Sequence, residues 1–338
     1  MKNNLLKVVK FLLFLSIGVL LLYLAFKGIP LDTFMIGLKN AKYSWVILSI
    51  VLGIVGYLIR SYRWIMLIEP LGYRPSLKNT FFALALGYLA NFAFPRLGEI
   101  TRCGALSKTD KIPVDKLIGT VIIERVIDVI SLVILMFLVF FMKINFFGAF
   151  ITEKIFNPAL AWFYNLLDNS LLTWLFAAAI LFTIIAIPWI LKEKIQSLKV
   201  YNKAKNLLSG ITAGLKSVIH MKRKKEFIIY SLLLWLAYAL MSYVVFFAIP
   251  ATSELTFVDS IFILIFGGIG MTIPVQGGFG TYHAIVALGL SLYGIPKQDG
   301  LIYATLSHEA QAVMIIIIGF ISFLMISLIR KKTDKSGL

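Results

Sequence analysis

Two short polar segments interrupt long apolar stretches: Asn91-Phe-Ala-Phe-Pro95-Arg96-Leu-Gly98-Glu99-Ile-Thr-Arg102 and Thr272-Ile-Pro274-Val-Gln276-Gly277-Gly278-Phe-Gly280-Thr-Tyr-His283. Both contain proline and glycine, which break the helical hydrogen-bond ladder. In lipid, the freed backbone groups persist only where protein or a water-filled cavity satisfies them. Matched broken segments in the two halves of a membrane protein point to a transporter's binding site. The predicted backbone breaks are Pro95, Gly98, Pro274, Gly277, Gly278 and Gly280.

The composition of the chain defines its broad class. Of its 338 residues, 60% are hydrophobic and 14% charged, which is typical of a polytopic membrane protein. The net charge of +17 comes from Lys and Arg grouped between apolar stretches, where they set topology and meet anionic lipid headgroups. We therefore expect no nucleic-acid partner. The single Cys103 forms no internal disulfide, and Val8 to Phe26 has the length of a retained membrane anchor.

The distribution of charge predicts the topology of eight apolar stretches. They are Val8 to Phe26, Trp45 to Ile68, Leu77 to Phe94, Leu117 to Met142, Leu171 to Leu191, Phe227 to Ile249, Ile261 to Tyr293 and Ile302 to Ile329. The Lys-rich linker Lys192 to Glu226 is predicted to be cytoplasmic, and Pro250 to Asp259, which has no basic residue, external. All basic clusters then stay cytoplasmic if Leu77 to Phe94 and Ile261 to Tyr293 each enter and leave on one side.

The predicted fold is therefore all-α, with about six transmembrane helices and two oppositely facing reentrant hairpins in an inverted repeat. A single membrane domain spans residues 1–338, with a first half (1–170), a crossing and basic amphipathic linker (171–226) and a second half (227–338). Apolar residues within that linker repeat near helical spacing. This spacing predicts either a helix on the inner leaflet or a solvated linker. The N- and C-termini are expected in the cytoplasm of a bacterial cell, with the protein in its cytoplasmic (inner) membrane.

Charges inside the apolar stretches identify a candidate site in the first half. Glu124, Arg125 and Asp128 lie within Leu117 to Met142, and their spacing gives Asp128 a helix face in common with both neighbours. Three such charges cost roughly 8 to 10 kcal/mol of insertion free energy, so we expect them to be partnered. Two interpretations remain open: an ion-pair cluster with Arg96 or Arg102, or a polar cavity that receives a charged substrate.

Arginine in the first broken segment favours a phosphate ligand. Arg96 and Arg102 offer planar, bidentate donors suited to phosphate oxygens. The arginines Arg96, Arg102 and Arg125 balance the carboxylates Glu99, Glu124 and Asp128 in charge. We therefore expect the empty site to be internally paired and to exchange partners when a phosphodiester headgroup enters.

The second half adds four polar candidates, Gln276, His283, His308 and Glu309. A histidine beside Glu309 is compatible with coupling of transport to protons, or with a buried neutral imidazole bonded to backbone. The glycine cluster lacks the lysine of a nucleotide-binding loop, although backbone amides at such a break suit an anion. We expect no cofactor and no metal.

Three motifs in order resemble the lysylphosphatidylglycerol synthase transmembrane family, also called the flippase-like integral membrane family. They are Pro95-Arg96-x-Gly98-Glu99-x-x-Arg102, Glu124-Arg125-x-x-Asp128 and Pro274-x-x-Gly277-Gly278-x-Gly280, and Arg60-x-x-Arg63-Trp64 also fits. The resemblance implies a domain that moves aminoacylated phosphatidylglycerol between leaflets. The soluble aminoacyltransferase domain of the full synthases is not found in this sequence, and His283 replaces a glutamate usual in the family.

The sequence thus predicts a flippase that binds a phospholipid or lipid-linked sugar headgroup in a charged cavity and moves it across the membrane. The alternative is a membrane-embedded transferase on a lipid or polyprenyl-phosphate, with Glu99, Glu124 and Asp128 as base or metal ligands. A noncatalytic partner subunit is a third class. The expected partners are membrane lipids with phosphate-bearing headgroups.

Overall fold

A computed structural model describes residues 16–94, 97–161, 182, 221–273 and 275–335. Within these residues the protein consists of helices and turns, with no strand. The chain forms two compact units, residues 1–128 with 217–338, and residues 129–216. The main helices are α1 (Ser16–Phe26), α2 (Leu31–Lys39), α3 (Tyr43–Ile68), α4 (Leu77–Ala93), α5 (Gly98–Asp110), α6 (Val114–Met142), α7 (Ile144–Ile151), α8 (Lys224–Phe246), α9 (Phe257–Thr272), α10 (Thr281–Ser291) and α11 (Lys297–Lys335).

This is a polytopic membrane protein. Four described helices, α3, α6, α8 and α11, are long and apolar enough to cross a membrane, and the pair α1 and α2, bent by 90°, would make a fifth. Large apolar side chains such as Ile122, Leu232 and Phe320 are exposed on these helices. Charged side chains such as Arg63 and Glu124 are buried. Apolar groups outside and charges inside are the arrangement that a lipid environment favours.

Helices α3 and α8 are antiparallel, and their ends define two sides of the first unit. On side A, Arg223, just before α8, donates to Glu69 at the end of α3 (2.9 Å). On side B, the amide of Lys42, just before α3, donates to the carbonyl of Ala248 beyond α8 (2.9 Å). Sides A and B define the directions of the other helices in this unit.

Helices α4 and α5 form a hairpin that opens on side A. At its open end Asp110, the last residue of α5, accepts hydrogen bonds from the Ser76 amide (3.2 Å) and the Asn79 side chain (3.0 Å). Gly87 and Gly98 let the helices approach, because a Cβ atom on Gly87 would lie 2.9 Å from the Gly98 carbonyl oxygen. The chain therefore enters this hairpin and leaves it on the same side, side A.

Helices α9 and α10 form a second hairpin, which opens on side B. The rings of Phe262 on α9 and Tyr293 just after α10 pack edge to face with centroids 5.5 Å apart. Gly270 brings the α9 backbone against Tyr282, near the start of α10. Gly280, at the turn into α10, has a φ of +78°, and a Cβ there would meet the α1 backbone at the Gly18 oxygen (2.5 Å). This turn therefore needs glycine for both its backbone angle and its contact with α1.

The two hairpins face opposite sides, as the sequence predicts. The order of elements in both halves is crossing helix, hairpin, crossing helix: α3, α4 and α5, α6 in the first, and α8, α9 and α10, α11 in the second. The second series begins on the opposite side from the first. Of the six predicted crossings, four correspond to α3, α6, α8 and α11, and the first is described only from Ser16. The predicted crossing Leu171 to Leu191, Phe182 apart, and the amphipathic linker as far as residue 220 lie outside the described residues.

Two glycines of α5 test the close packing of the first hairpin. A Cβ on Gly98 would collide with the Gly87 carbonyl and the Asn91 side chain, whereas Gly104 has open space around it. We expect Gly98→Ala to lower the free energy of unfolding by about 1 to 3 kcal/mol through overpacking. Gly104→Ala should raise it by roughly 0.5 to 1 kcal/mol through helix propensity. Thermal unfolding in detergent measures the stability of both variants. An equal change in stability for the two would contradict the close packing of α4 on α5 at Gly98.

Candidate functional site

The tips of the two hairpins meet in the interior of the first unit. The ring of Phe92, near the end of α4, packs edge to face on Phe279 with centroids 5.5 Å apart. Gly277 has a φ of +58°, and a Cβ there would lie 2.9 Å from the Phe92 ring. The Asn91 side chain bridges the break of the first hairpin, since its Oδ1 accepts from the Gly98 amide (2.6 Å). Both broken segments therefore lie at one place, between sides A and B.

A cavity of about 530 Å³ lies at these tips, a volume within the range of small-molecule sites. The first hairpin and α6 form one wall of the cavity, which carries Glu99 and Arg125. The second hairpin and α11 form the opposite wall. The polar or backbone-exposing residues that line the cavity are Tyr88, Asn91, Glu99, Arg125, Thr272, Gly277, Gly278, His308 and Gln311. The cavity thus joins residues from both of the sequence motifs that contain the breaks.

A buried ion cluster lies beside this cavity. Glu124, which is fully buried, forms an ion pair with Arg60 (2.7 Å) and accepts hydrogen bonds from Arg102 (2.9 Å) and, at 3.5 Å, from Arg63. Asp128, one turn further along α6, pairs with Arg60 (3.0 Å) and with Arg63. The i,i+4 spacing places both carboxylates on the face of α6 that meets α3 and α5.

Aromatic side chains complete the surroundings of the guanidinium groups. Arg102 stacks over the Trp64 ring (4.6 Å to its centroid), and Trp64 donates its indole N–H to Thr120 (2.9 Å). Arg60 donates to the Tyr238 hydroxyl (3.1 Å). A cation–π contact such as that of Arg102 with Trp64 stabilises a desolvated guanidinium without neutralising its charge.

Among the described residues the cluster carries one positive charge in excess, because three guanidinium groups face two carboxylates. Five guanidinium nitrogens, Nε of Arg60 and both Nε and Nη1 of Arg63 and Arg102, are buried without a hydrogen-bond partner among the described residues. An uncompensated buried charge and unpaired donors are both costly. The cluster therefore has the capacity to receive an anion.

A second ion pair separates the cluster from the cavity. Arg125 donates to Glu99 (2.9 Å), and their side chains are 44% and 33% exposed. Both residues line the large cavity and also a small one of about 10 Å³ that reaches Arg60 and Arg102. The small cavity admits at most one water-sized group. Half-exposed pairs are worth about 0 to 1 kcal/mol, so an incoming anion can replace Glu99 on Arg125 at low cost.

On the other wall, His308 connects α11 to the second hairpin. Its Nε2 lies 2.7 Å from the Gly277 carbonyl oxygen, and its Nδ1 lies 3.0 Å from Glu309 Oε1. His283 Nε2, from α10, lies 3.5 Å from the same carboxylate oxygen. One ligand atom from each of the three residues lies within 4.8 Å of the others, a donor set that has the capacity to hold a metal ion. Gln276 is buried at the tip but is not part of this group.

The structure corrects the predicted pairing of the first-half charges. Arg125 does not share a site with Asp128 but pairs with Glu99, and the buried carboxylates are held by Arg102 together with Arg60 and Arg63. Arg60 and Arg63 fit the family motif but are not among the site residues predicted from the sequence, and the cluster formed by the described residues is not neutral. Two arginines three residues apart inside the apolar stretch Trp45 to Ile68 were the signal that could have identified them. Pro95, Arg96 and Pro274 lie outside the described residues.

The fold and the site together define a membrane protein with an internal polar cavity between two inverted hairpins. Residues 8–319 match the model of the lysylphosphatidylglycerol synthase transmembrane region, and the chain belongs to this lipid-related family. It is also 26% identical to a UPF0104 membrane protein of Methanocaldococcus jannaschii, over 99% of this chain and 97% of that protein. No solved structure matches the chain.

Proposed function

We propose that the protein binds the phosphate-bearing headgroup of a membrane lipid in the cavity between the hairpin tips and moves the lipid between leaflets. The observation that supports this most directly is the position of the cavity. It lies where hairpins from opposite sides meet, next to a buried guanidinium cluster with an excess positive charge. Broken helices that meet around one site are the arrangement expected for alternating access.

The chemistry of the cavity favours phosphate. Arg125 offers its guanidinium to the cavity, and α5 begins at Gly98, on the wall of the small cavity. The Gly98 amide itself is bonded to Asn91, but the partial positive charge at the start of an α-helix attracts anions. A phosphate that displaces Glu99 from Arg125 would gain charge-assisted hydrogen bonds and approach the unpaired donors of Arg102.

The alternative of a transferase is less well supported by the same geometry. Glu124 and Asp128 are saturated by arginine, which makes them poor general bases and poor metal ligands. Glu99 is paired with Arg125. All three carboxylates proposed for catalysis are therefore engaged with guanidinium groups.

Arg125 provides the experiment that tests headgroup binding. We expect Arg125→Ala to reduce the lipid that copurifies with the protein by about 10- to 100-fold, because a hydrogen bond to a charged group is worth about 1.5 to 3 kcal/mol. Arg125→Lys should recover part of the binding, since lysine cannot bind a phosphate in a bidentate manner. Native mass spectrometry of protein in nanodiscs measures the bound lipid.

Arg223 is the matched control for this experiment. Its guanidinium is 30% exposed and paired with carboxylates, but it lies outside the cavity, so Arg223→Ala should retain the lipid. Lipid occupancy of Arg125→Ala equal to that of the wild type would reject the phosphate role. Liposomes that show no lipid exchange, but yield a chemically altered lipid when given a sugar or aminoacyl donor, would establish the transferase instead.

The direction of the protein in the membrane is also part of the proposal, with side A and both termini in the cytoplasm. Lys108, at the open end of the first hairpin, and Glu254, beside the open end of the second, are exposed. With Cys103 replaced by serine, we expect Lys108→Cys to react with an impermeant maleimide only from the cytoplasm. Glu254→Cys should react only from outside. Labelling of both cysteines from the same side would contradict the inverted arrangement.

A further inference from the structure

Three side chains converge at one point between α10 and α11. His308 and Glu309 are consecutive residues of α11, and consecutive side chains of a helix do not normally face each other. Here the His308 Nδ1 lies 3.0 Å from the Glu309 Oε1. From α10, the His283 Nε2 lies 3.5 Å from the same oxygen. Two imidazole nitrogens from different helices are therefore directed at one carboxylate oxygen.

The hydrogen bond on the far side of the His308 ring makes its Nδ1 available as a ligand. The Gly277 carbonyl oxygen is only an acceptor, so the His308 Nε2, 2.7 Å away, carries a hydrogen. In the neutral imidazole, Nδ1 then presents a lone pair towards Glu309. A histidine that binds a metal ion through one nitrogen almost always donates its other N–H to a carbonyl or carboxylate group. The bond to Gly277 is a contact of this kind.

His283 is a buried histidine whose ring nitrogens lack good partners. Its side chain is 3% exposed, and its Nδ1 has no hydrogen-bond partner among the described residues. The separation of its Nε2 from Glu309, 3.5 Å, is longer than an ordinary hydrogen bond. Burial of an imidazole without a good partner is costly. A bond from Nε2 to a cation would offset that cost.

From this geometry we infer that His283, His308 and Glu309 bind one divalent transition-metal ion, for which zinc is well suited. The site is independent of the proposed lipid transport. One ligand atom of each residue lies within 4.8 Å of the others. Zinc bonds of about 2.0 to 2.2 Å place the ligand atoms of a tetrahedral shell about 3.3 Å apart, and the two nitrogen-to-oxygen distances, 3.0 and 3.5 Å, bracket that separation. No metal was expected from the sequence, where His283 stands 25 residues before His308.

The ligands and their surroundings select the class of ion. Imidazole nitrogen suits zinc and its neighbours in the first transition series, whereas magnesium and calcium prefer oxygen. The rings of Tyr282, Phe279 and Phe26 have centroids 5.0 to 6.4 Å from those of the histidines, and the Tyr282 hydroxyl is bonded to Ser307 (3.1 Å) instead of the site. Such an apolar shell lowers the local dielectric and strengthens the attraction of a cation to Glu309.

The ion fastens the second hairpin to α11. It joins α10, through His283, to α11, through His308 and Glu309. The His308 ring in turn holds the Gly277 carbonyl at the hairpin tip. Because an ion bound only by the folded protein stabilises the fold, its removal loosens the tip that faces the cavity.

Metal analysis of protein purified without a polyhistidine tag tests the site. After a chelator has removed bound metal and zinc has been added back, we expect about one zinc ion per chain in elemental analysis by mass spectrometry. Glu309→Gln preserves the size of the side chain and should weaken zinc binding by at least about 100-fold, because loss of an outer partner alone costs 10- to 100-fold. His283→Gln should have the same effect. Glu254→Gln, at an exposed glutamate outside the group, should bind zinc as the wild type does.

Two further measurements distinguish this site from zinc bound on the surface. Zinc should raise the thermal unfolding midpoint of the wild type by several degrees and leave that of Glu309→Gln unchanged. Cobalt in place of zinc should give the strong visible absorption of a four-coordinate ion, and His283→Gln should lose it. Equal zinc affinity of the wild type and Glu309→Gln, or a wild type that binds no zinc, would overturn the inference. Because neither result involves lipid exchange, the proposed transport would stand.

Discussion

Glu124→Gln should destabilise the protein by about 3 to 5 kcal/mol, because it leaves guanidinium groups buried without their counter-charge. Glu124 is fully buried and is paired with Arg60 and Arg102, with Arg63 nearby. After its removal only Asp128 balances three arginines. We expect a low yield of folded protein and a large fall in the thermal unfolding midpoint, measured in detergent with circular dichroism and fluorescence.

The chain offers a matched control and a rescue for this prediction. Glu99 is also bonded to an arginine, but its side chain is 33% exposed, so Glu99→Gln should change the free energy of unfolding by less than about 1 kcal/mol. Arg63→Gln in the Glu124→Gln background should recover part of the loss, since it removes one unpaired charge. Equal destabilisation by the two glutamate substitutions would contradict the cluster as described.

The sequence predicted the crossing helices and the hairpins well, because lipid imposes strong rules on both. Helix α3 begins two residues before the predicted Trp45 and ends at the predicted Ile68. A helix that must satisfy its own backbone in lipid shows long apolar runs, and Lys-rich linkers report which ends share a side. Glycine and proline marked the hairpin tips for the same physical reason, since they release backbone groups that need another partner.

The pairing of charges was not predictable in the same way. Arg60 and Arg102 are 42 residues apart in the sequence, yet both bind Glu124. Which guanidinium reaches which carboxylate depends on the rotation of α3, α5 and α6 about their axes. Side-chain packing over the whole unit decides how each helix is rotated. The charges along a single helix therefore do not predict which groups pair. For the same reason the contact between Gly277 and His308 had no counterpart in the sequence.

The meeting of the hairpin tips makes a prediction about transport. Phe92 and Phe279 are in ring contact across the tips, and the cavity lies beside them. Alternating access requires the two hairpins to move relative to each other, so that the cavity opens to one side at a time. A short bifunctional methanethiosulfonate joining Phe92→Cys to Phe279→Cys, with Cys103 replaced by serine, should therefore reduce lipid exchange to the rate of protein-free liposomes.

The control for this experiment joins residues that need not separate. Tyr243, near the end of α8, and Phe257, at the start of α9, have ring centroids 5.6 Å apart and are connected by a short loop. A link between cysteines at these positions adds little constraint, so exchange should continue at the rate of the unlinked protein. A reducing agent should restore exchange to the tip-linked protein, because it cleaves the mixed disulfides. Full exchange while the tips are linked would contradict a transport cycle in which the two tips must separate.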